Sequence, residues 1–434
     1  EHSMGGDPNK ISNTNSSASC IKCHDAPPYY NTVAQGKLQL HNTPIWSNSF
    51  AQGAASQNNN LQNCIRCHDG TGYVNLTKNR TTNTTGWNLG NQTHISCATC
   101  HDPHGNSNAY SLRSAPAAAD TLANGFAYNA ALLGTGKLCI DCHKSRRDNV
   151  TYTETSVTNS NWGPHYSGQG DILMGKNLAE FGTPYPSSVH SFIQNSCAGC
   201  HMAKDDTPEN KDKVGSHTLK MHNPDNGYDF TKPCQSCHSG ITSFSDIIAS
   251  SDYDSDGTIE PFVDEYNGLV SLLKYYLSPV GVDSVSWQMI GANNNLNEKK
   301  AYFNYRLIYP DGSHGIHNPK YVIAALRSSI LAIGGVVSVE DNINTLPEVF
   351  NLSQNYPNPF NPSTRITFSI PEQSFVSLKV YDASGSEVAV LVNKDMSRGN
   401  HEVYFDASKL TSGIYFYTIT AGKNTMTKKM LLMK

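Results

Sequence analysis

The twelve cysteines of this 434-residue chain fall into six copies of Cys-x-x-Cys-His, with none left over. The copies are Cys20–Cys23–His24, Cys64–Cys67–His68, Cys97–Cys100–His101, Cys139–Cys142–His143, Cys197–Cys200–His201 and Cys234–Cys237–His238. Each reads as a c-type haem attachment site, in which two thiols add across the haem vinyl groups and the adjacent histidine ligates the iron. Structural zinc gives no reason for a histidine directly after every second cysteine. A disulfide framework would not repeat one internal spacing, and a thioredoxin-like pair would occur once, beside a βαβ pattern. Six haem c groups are therefore expected.

The other axial side of each iron decides what the chain can do. An iron closed by two protein ligands passes electrons but binds no substrate, whereas a reactive iron keeps one side open. Seventeen histidines are present and six belong to the motifs. With His401 set aside on a C-terminal strand, ten remain for six distal positions. Local context favours His94, His104, His165, His190, His217 and His317, with His41, His222, His314 and His2 behind them. Met174 or Met221 is the sulfur alternative for one position. With histidines enough to close every iron, the expectation is an electron-transfer protein and not an enzyme. The alternative is a multihaem reductase of nitrite, hydroxylamine or a sulfur oxyanion with one open haem.

A second metal site is expected from Asp252, Asp254, Asp256 and Gly257, which match positions 1, 3, 5 and 6 of a calcium-binding EF-hand loop. Thr258 would offer its carbonyl, and Glu260 stands at position 9. Position 12 is Val263, where a carboxylate is required, but Asp264 and Glu265 follow at once. A lengthened calcium loop and a solvated acidic turn both fit this pattern.

These groups need elements to hold them. Motif starts lie 44, 33, 42, 58 and 37 residues apart, too irregular for a solenoid of equal repeats. So dense a set of haems leaves little chain for an ordinary apolar core. The expectation for residues 1–246 is a mostly irregular and α multihaem cytochrome c domain wrapped around six haems. Residues 247–338 read as a helical extension carrying the calcium loop at 252–265 and distal histidines. Tyr266, Leu269, Val270, Leu273 and Leu277 form one helical stripe. Tyr321, Val322, Ala325, Leu326, Ser329, Ile330 and Ile333 form another, opened by Asn318 and Pro319. Residues 339–350 read as a linker. Residues 351–434 alternate as strands do, at Ile366/Phe368/Ile370, Val376/Leu378/Val380, Val388/Val390/Val392, Val403/Phe405 and Ile414/Phe416/Thr418, with a closing strand near Met426 to Leu432. An all-β, immunoglobulin-like sandwich is expected there.

Composition narrows the setting. Apolar residues make up 38% and charged residues 16%, and no run of eighteen apolar residues occurs, so no transmembrane segment is expected. The formal charge of −4 becomes more negative once haem propionates are counted, which disfavours nucleic acid as a partner. The start, Glu1-His2-Ser3-Met4, has no charged and apolar leader pattern, so any signal peptide is expected to have been removed. Covalent haem attachment takes place outside the cytoplasm, so export through the periplasm is expected.

The tail resembles the C-terminal sorting domain of the type IX secretion system. The resemblance rests on Asn355-Tyr356-Pro357-Asn358-Pro359-Phe360-Asn361-Pro362-Ser363-Thr364, on Val380-Tyr381-Asp382 with Gly385, and on Gly413-Ile414-Tyr415-Phe416-Tyr417. It implies the type IX machinery as a partner and a place at the outer cell surface or beyond. The segments holding His165, His190 and His217 around Cys-Ala-Gly-Cys-His-Met resemble those of nitrite-reductase-related multihaem cytochromes. No Cys-x-x-Cys-Lys variant, found at the catalytic haem of many ammonia-forming nitrite reductases, occurs. Extracellular electron donors and acceptors are the expected redox partners, with a homopolymeric filament, joined through His2 and the N-terminal arm, as a further arrangement.

Overall fold

The structure is a computed structural model that describes residues 41, 61–70, 72–74, 95–102, 108–113, 120–278, 284–337, 350–355, 358–396 and 399–433. It divides into two compact units, 1–338 and 339–434.

In the first unit the attachment motifs sit on very short helices: α1 (Leu61–His68), α2 (Cys97–Cys100), α3 (Lys137–Ile140) and α4 (Cys197–His201). The motif at Cys234 follows a 3₁₀ turn, Lys232–Cys234. The motif chemistry explains the brevity. One helical turn brings residues i and i+3 to the same face, which is all that two thiols on one porphyrin edge require. The turn closes through histidine N–H bonds to the first cysteine carbonyl, at 2.8 Å in His101, His143 and His238.

Three longer helices follow: α5 (Phe262–Leu277), α6 (Leu296–Ile308) and α7 (Pro319–Ala332). The α5 stripe is buried along its whole length. The α7 stripe is buried from Tyr321 to Ile330, with Ile333 half-buried at the helix end. Asn318 precedes α7 and Pro319 opens it, as the sequence suggests. The Asn318 side chain is nevertheless spent on other segments: it accepts from Ser188 N at 2.7 Å and donates to Ser187 Oγ at 2.8 Å. Helix α6 escapes the periodicity reading because Asn297, Glu298, Lys299 and Lys300 open it. Asn295 caps it by accepting from Asn297 N, and Ala301, Tyr302, Phe303, Leu307 and Ile308 are buried.

The apolar stripes of α5 and α7 pack on the motif-bearing region, whose own apolar share is larger than the density of motifs suggests. The three helices share an apolar core with Val157, Trp162, Ile172 and Leu178 from the motif-bearing region. Trp162 stacks on Tyr302 with ring centres 5.8 Å apart, and Tyr321 Oη accepts from Leu178 N at 2.8 Å. Each such large apolar side chain contributes about 1.5–3 kcal/mol on burial, so the helices hold the loops that carry His165 and His190.

The second unit is a two-sheet all-β sandwich. Its strands are β1 (Asn351–Leu352), β2 (Ser363–Ile370), β3 (Ser374–Asp382), β4 (Glu387–Met396), β5 (Gly399–Asp406), β6 (Gly413–Ala421) and β7 (Asn424–Leu432). The sheet orders are β7-β6-β3-β4 and β1-β2-β5. Ile366, Phe368, Ile370, Val376, Leu378 and Val380 are buried as their alternation requires. Two phases differ. On β6 the buried residues are Tyr415, Tyr417 and Ile419, while Ile414 and Phe416 are exposed. Tyrosine can take the inner face because its hydroxyl finds partners: Tyr417 Oη donates to Ser353 O and accepts from Asn355 N. On β4 the register against β3 shifts twice, so Val392 is buried and Val390 is exposed.

Candidate haem-binding sites

Five of the six motif histidines lie among the described residues, and each faces a second imidazole. Ring centres are 5.9 Å apart for His143 and His41, and 6.0 Å for His68 and His165. They are 6.3 Å apart for His101 and His217, 6.2 Å for His238 and His190, and 6.2 Å for His201 and His317. A metal ion bonded to two opposed imidazole nitrogens at about 2 Å apiece separates the ring centres by about 6 Å. Among the described residues no motif cysteine is joined to another in a disulfide. Ring spacing and donor chemistry both fit haem c.

Of the favoured distal residues, the fold thus brings His165, His190, His217 and His317 to motif histidines, and adds His41 from the second rank. His24, His94, His104 and His2 lie outside the described residues. His222 and His314 face no motif histidine among the described contacts. His222 pairs with Asp229 at 2.7 Å on the surface, and His314 lies against Asn267 and the Tyr266 ring. His401 sits on β5, against Phe368. Met174 is buried in a small apolar cluster with Ile140 and Leu173.

The second nitrogen of most paired rings is anchored, which fixes each ring's orientation. Nδ1 of His101 meets Tyr110 O at 2.8 Å, that of His201 meets Leu219 O at 2.8 Å, and that of His190 meets Ile316 O at 2.5 Å. His143 uses Gln169 Oε1 at 3.2 Å and His165 uses Ser167 Oγ at 3.1 Å. Burial, reinforced by neighbouring cations and imidazoles, pulls His41 and His165 down to about 4. Both rings are therefore neutral near pH 7, the form that can donate a lone pair to a metal. His317 differs. Burial lowers its pKa, but the charge and hydrogen bond of Asp311, 2.7 Å away, raise it overall.

Neighbouring motifs touch. Cys67 Sγ lies 4.0 Å from Asp141 O, and Cys142 Sγ lies 3.9 Å from Arg66 O, so the motifs at Cys64 and Cys139 cross. Asp141, inside the second of these, accepts from Lys137 Nζ at 2.7 Å, from Tyr128 Oη at 3.2 Å and from Tyr73 Oη at 3.2 Å, all buried. The motif at Cys197 packs on the approach to α3. There Ser196 Oγ donates to Leu133 O at 3.0 Å, and Thr135 N donates to Asn195 Oδ1 at 3.3 Å. The motifs at Cys197 and Cys234 are joined through their partners, since the carbonyl that holds His190 belongs to Ile316, the residue before His317.

In the acidic loop, carboxylate oxygens of Asp252, Asp254 and Asp256 lie within 4.8 Å of one another. Asp252 accepts from Ser255 N and Gly257 N, and Gly257 takes a φ of +96°, which glycine tolerates. Glu265, fully buried at the start of α5, accepts from Tyr253 N, Asp254 N and Glu260 N. Asp264 is exposed and lies outside this converging set, and Thr258 is exposed beside it.

Paired imidazoles beside thiol motifs, repeated along one unit, define the chain's class: it is a multihaem c-type cytochrome with a C-terminal type IX sorting domain. The family comparisons agree. Residues 179–334 match the Cytochrome c552 family, and residues 354–433 match the Secretion system C-terminal sorting domain. No curated protein and no solved structure matches the chain. The first match corrects the expectation that the protein is not an enzyme, because Cytochrome c552 is a family of nitrite reductases. The second marks the chain for export by type IX secretion to the cell surface or extracellular space. Among the described residues no helix is long and apolar enough to cross a membrane.

Proposed function

We propose that the chain is an extracellular multihaem reductase of nitrite, hydroxylamine or a sulfur oxyanion, in which paired histidines close a relay of haems that feeds one open haem. The observation that carries the relay is the set of five imidazole pairs at metal-spanning distance. The Cytochrome c552 match supports the reductase end of the reading. A bound haem supplies a reversible one-electron couple and, where one axial side is free, a position for a small oxyanion. The axial pairs are His143–His41, His68–His165, His101–His217, His238–His190 and His201–His317. Contacts between motifs support a relay running through His68, His143, His201 and His238 in that order.

Calcium belongs to the same proposal as a structural ion held by Asp252, Asp254 and Asp256 beside α5. Three converging carboxylates and the glycine turn support it.

The test is spectroscopic. The oxidised protein should carry six covalent haems, five low-spin and one high-spin, and the reduced protein should bind one carbon monoxide and be reoxidised by nitrite or hydroxylamine. Among six variants, each with both cysteines of one motif changed to alanine, one should lose its haem together with both activities. Six low-spin haems inert to all ligands would remove the reductase reading, as would activities that survive in every one of these variants.

A further inference from the structure

Six of the ten paired rings have a described Nδ1 contact, and its acceptor is of two kinds. His101, His190 and His201 reach backbone carbonyls, His143 reaches an amide oxygen and His165 a hydroxyl, all of them neutral. His317 reaches a carboxylate. Its Nδ1 lies 2.7 Å from Asp311 Oδ1, and the Asp311 side chain is only 2% exposed. The other carboxylate oxygen, Oδ2, accepts from the Ser313 hydroxyl, which is also 3.3 Å from His317 N. One short turn, Tyr309–Asp311 followed by Gly312 and Ser313, therefore presents a buried acid to a ring 6.2 Å from His201.

A charged acceptor draws the Nδ1 proton more strongly than a neutral one does. Electron density moves into the ring, and Nε2 becomes the more basic donor. A more basic axial donor favours the higher oxidation state of the metal that it holds. We propose that Asp311 is a positioning residue that sets a potential: through His317 it makes the haem attached at Cys197 and Cys200 more negative than it would be with a neutral acceptor on His317. The assignment rests on the ligation proposed above.

The experiment uses the full-length holoprotein. Asp311→Asn keeps the shape and an accepting oxygen but removes the charge, so it preserves ring position while weakening the pull on the proton. A potentiometric titration followed by electron paramagnetic resonance should show one midpoint moved upward and one low-spin signal with altered g values, at unchanged haem content. Midpoints that stay where they are overturn the role of Asp311. A second pair of variants does not depend on Asp311→Asn folding alone: His317→Met removes the anchored ring and identifies the step that belongs to this haem, and Asp311→Glu, which keeps the charge, should leave that step low. An Asp311→Asn titration in which the step identified by His317→Met has not risen overturns the proposal. Absence of bis-histidine signals from the unmodified protein overturns the ligation beneath it, whereas intact signals with unmoved potentials overturn the tuning alone.

Discussion

At the scale of single residues, like charges gathered in one loop are the most informative feature. Asp254 is pushed up to about 6, first by burial and then by the like charges of Glu265, Asp256 and Asp252. Protonation or a cation relieves that repulsion, and the converging oxygens suit a cation. Elemental analysis of protein dialysed against a calcium buffer should therefore find one calcium per chain. Asp252→Asn with Asp254→Asn should abolish it. At a calcium concentration 100-fold above the dissociation constant, the unmodified protein should gain about 2.7 kcal/mol over the chelated form, read as a rise in the melting temperature. A chelator that leaves both melting temperature and metal content unchanged would reduce the loop to a solvated acidic turn.

The same scale shows what was readable in advance. Haem attachment is legible because covalent chemistry demands a fixed local spacing, and all six motifs announce themselves. Axial partners obey no such rule. His165, His190, His217 and His317 stand in turn-rich strings beside motifs or helix starts and could be ranked. His41 carries no local signal, and only the folded chain brings it to His143. Asp311 was equally hidden: an acid in a Pro-Asp-Gly turn looks like any solvated loop until the turn places it 2.7 Å from His317.

At the scale of elements, the short motif helices owe their close approach to glycine. Gly136, at the start of α3, has helical φ and ψ, so an alanine there meets no backbone strain. The obstacle is space: an added Cβ would fall 2.4 Å from Asn195 O and 2.9 Å from Cys197 N. Gly136→Ala should force α3 away from the motif at Cys197 and cost about 1–3 kcal/mol, measured as a lower denaturation midpoint with haem content retained. A variant that melts with the unmodified protein would mean that the two motifs do not pack this tightly. Element-level legibility followed periodicity. The stripes of α5 and α7 are continuous and were readable, whereas α6 mixes a polar first turn with paired aromatics. On β6 apolar and aromatic residues occupy both faces, so alternation fixed the strand but not its inward side, which hydroxyl partners then selected.

At the scale of the whole molecule, two units with separate interiors divide the labour. Among the described residues the tail's core cluster runs from Phe350 to Leu432. It contains no cysteine, so haem attachment has no need of it. The haem-bearing unit in turn has its own apolar cluster under α5, α6 and α7. Deleting residues 351–434 should therefore leave six covalent haems and an unchanged low-spin spectrum, because the described cluster under α5, α6 and α7 keeps all its members. The sorting match at 354–433 predicts where the truncated chain stops. Cell fractionation with haem-stained gels should find it folded in the periplasm, with the surface and medium fractions depleted. A truncated chain that reaches the surface at the normal level would separate the tail from sorting. Loss of haem on truncation would show instead that the sandwich supports the folding of the unit before it.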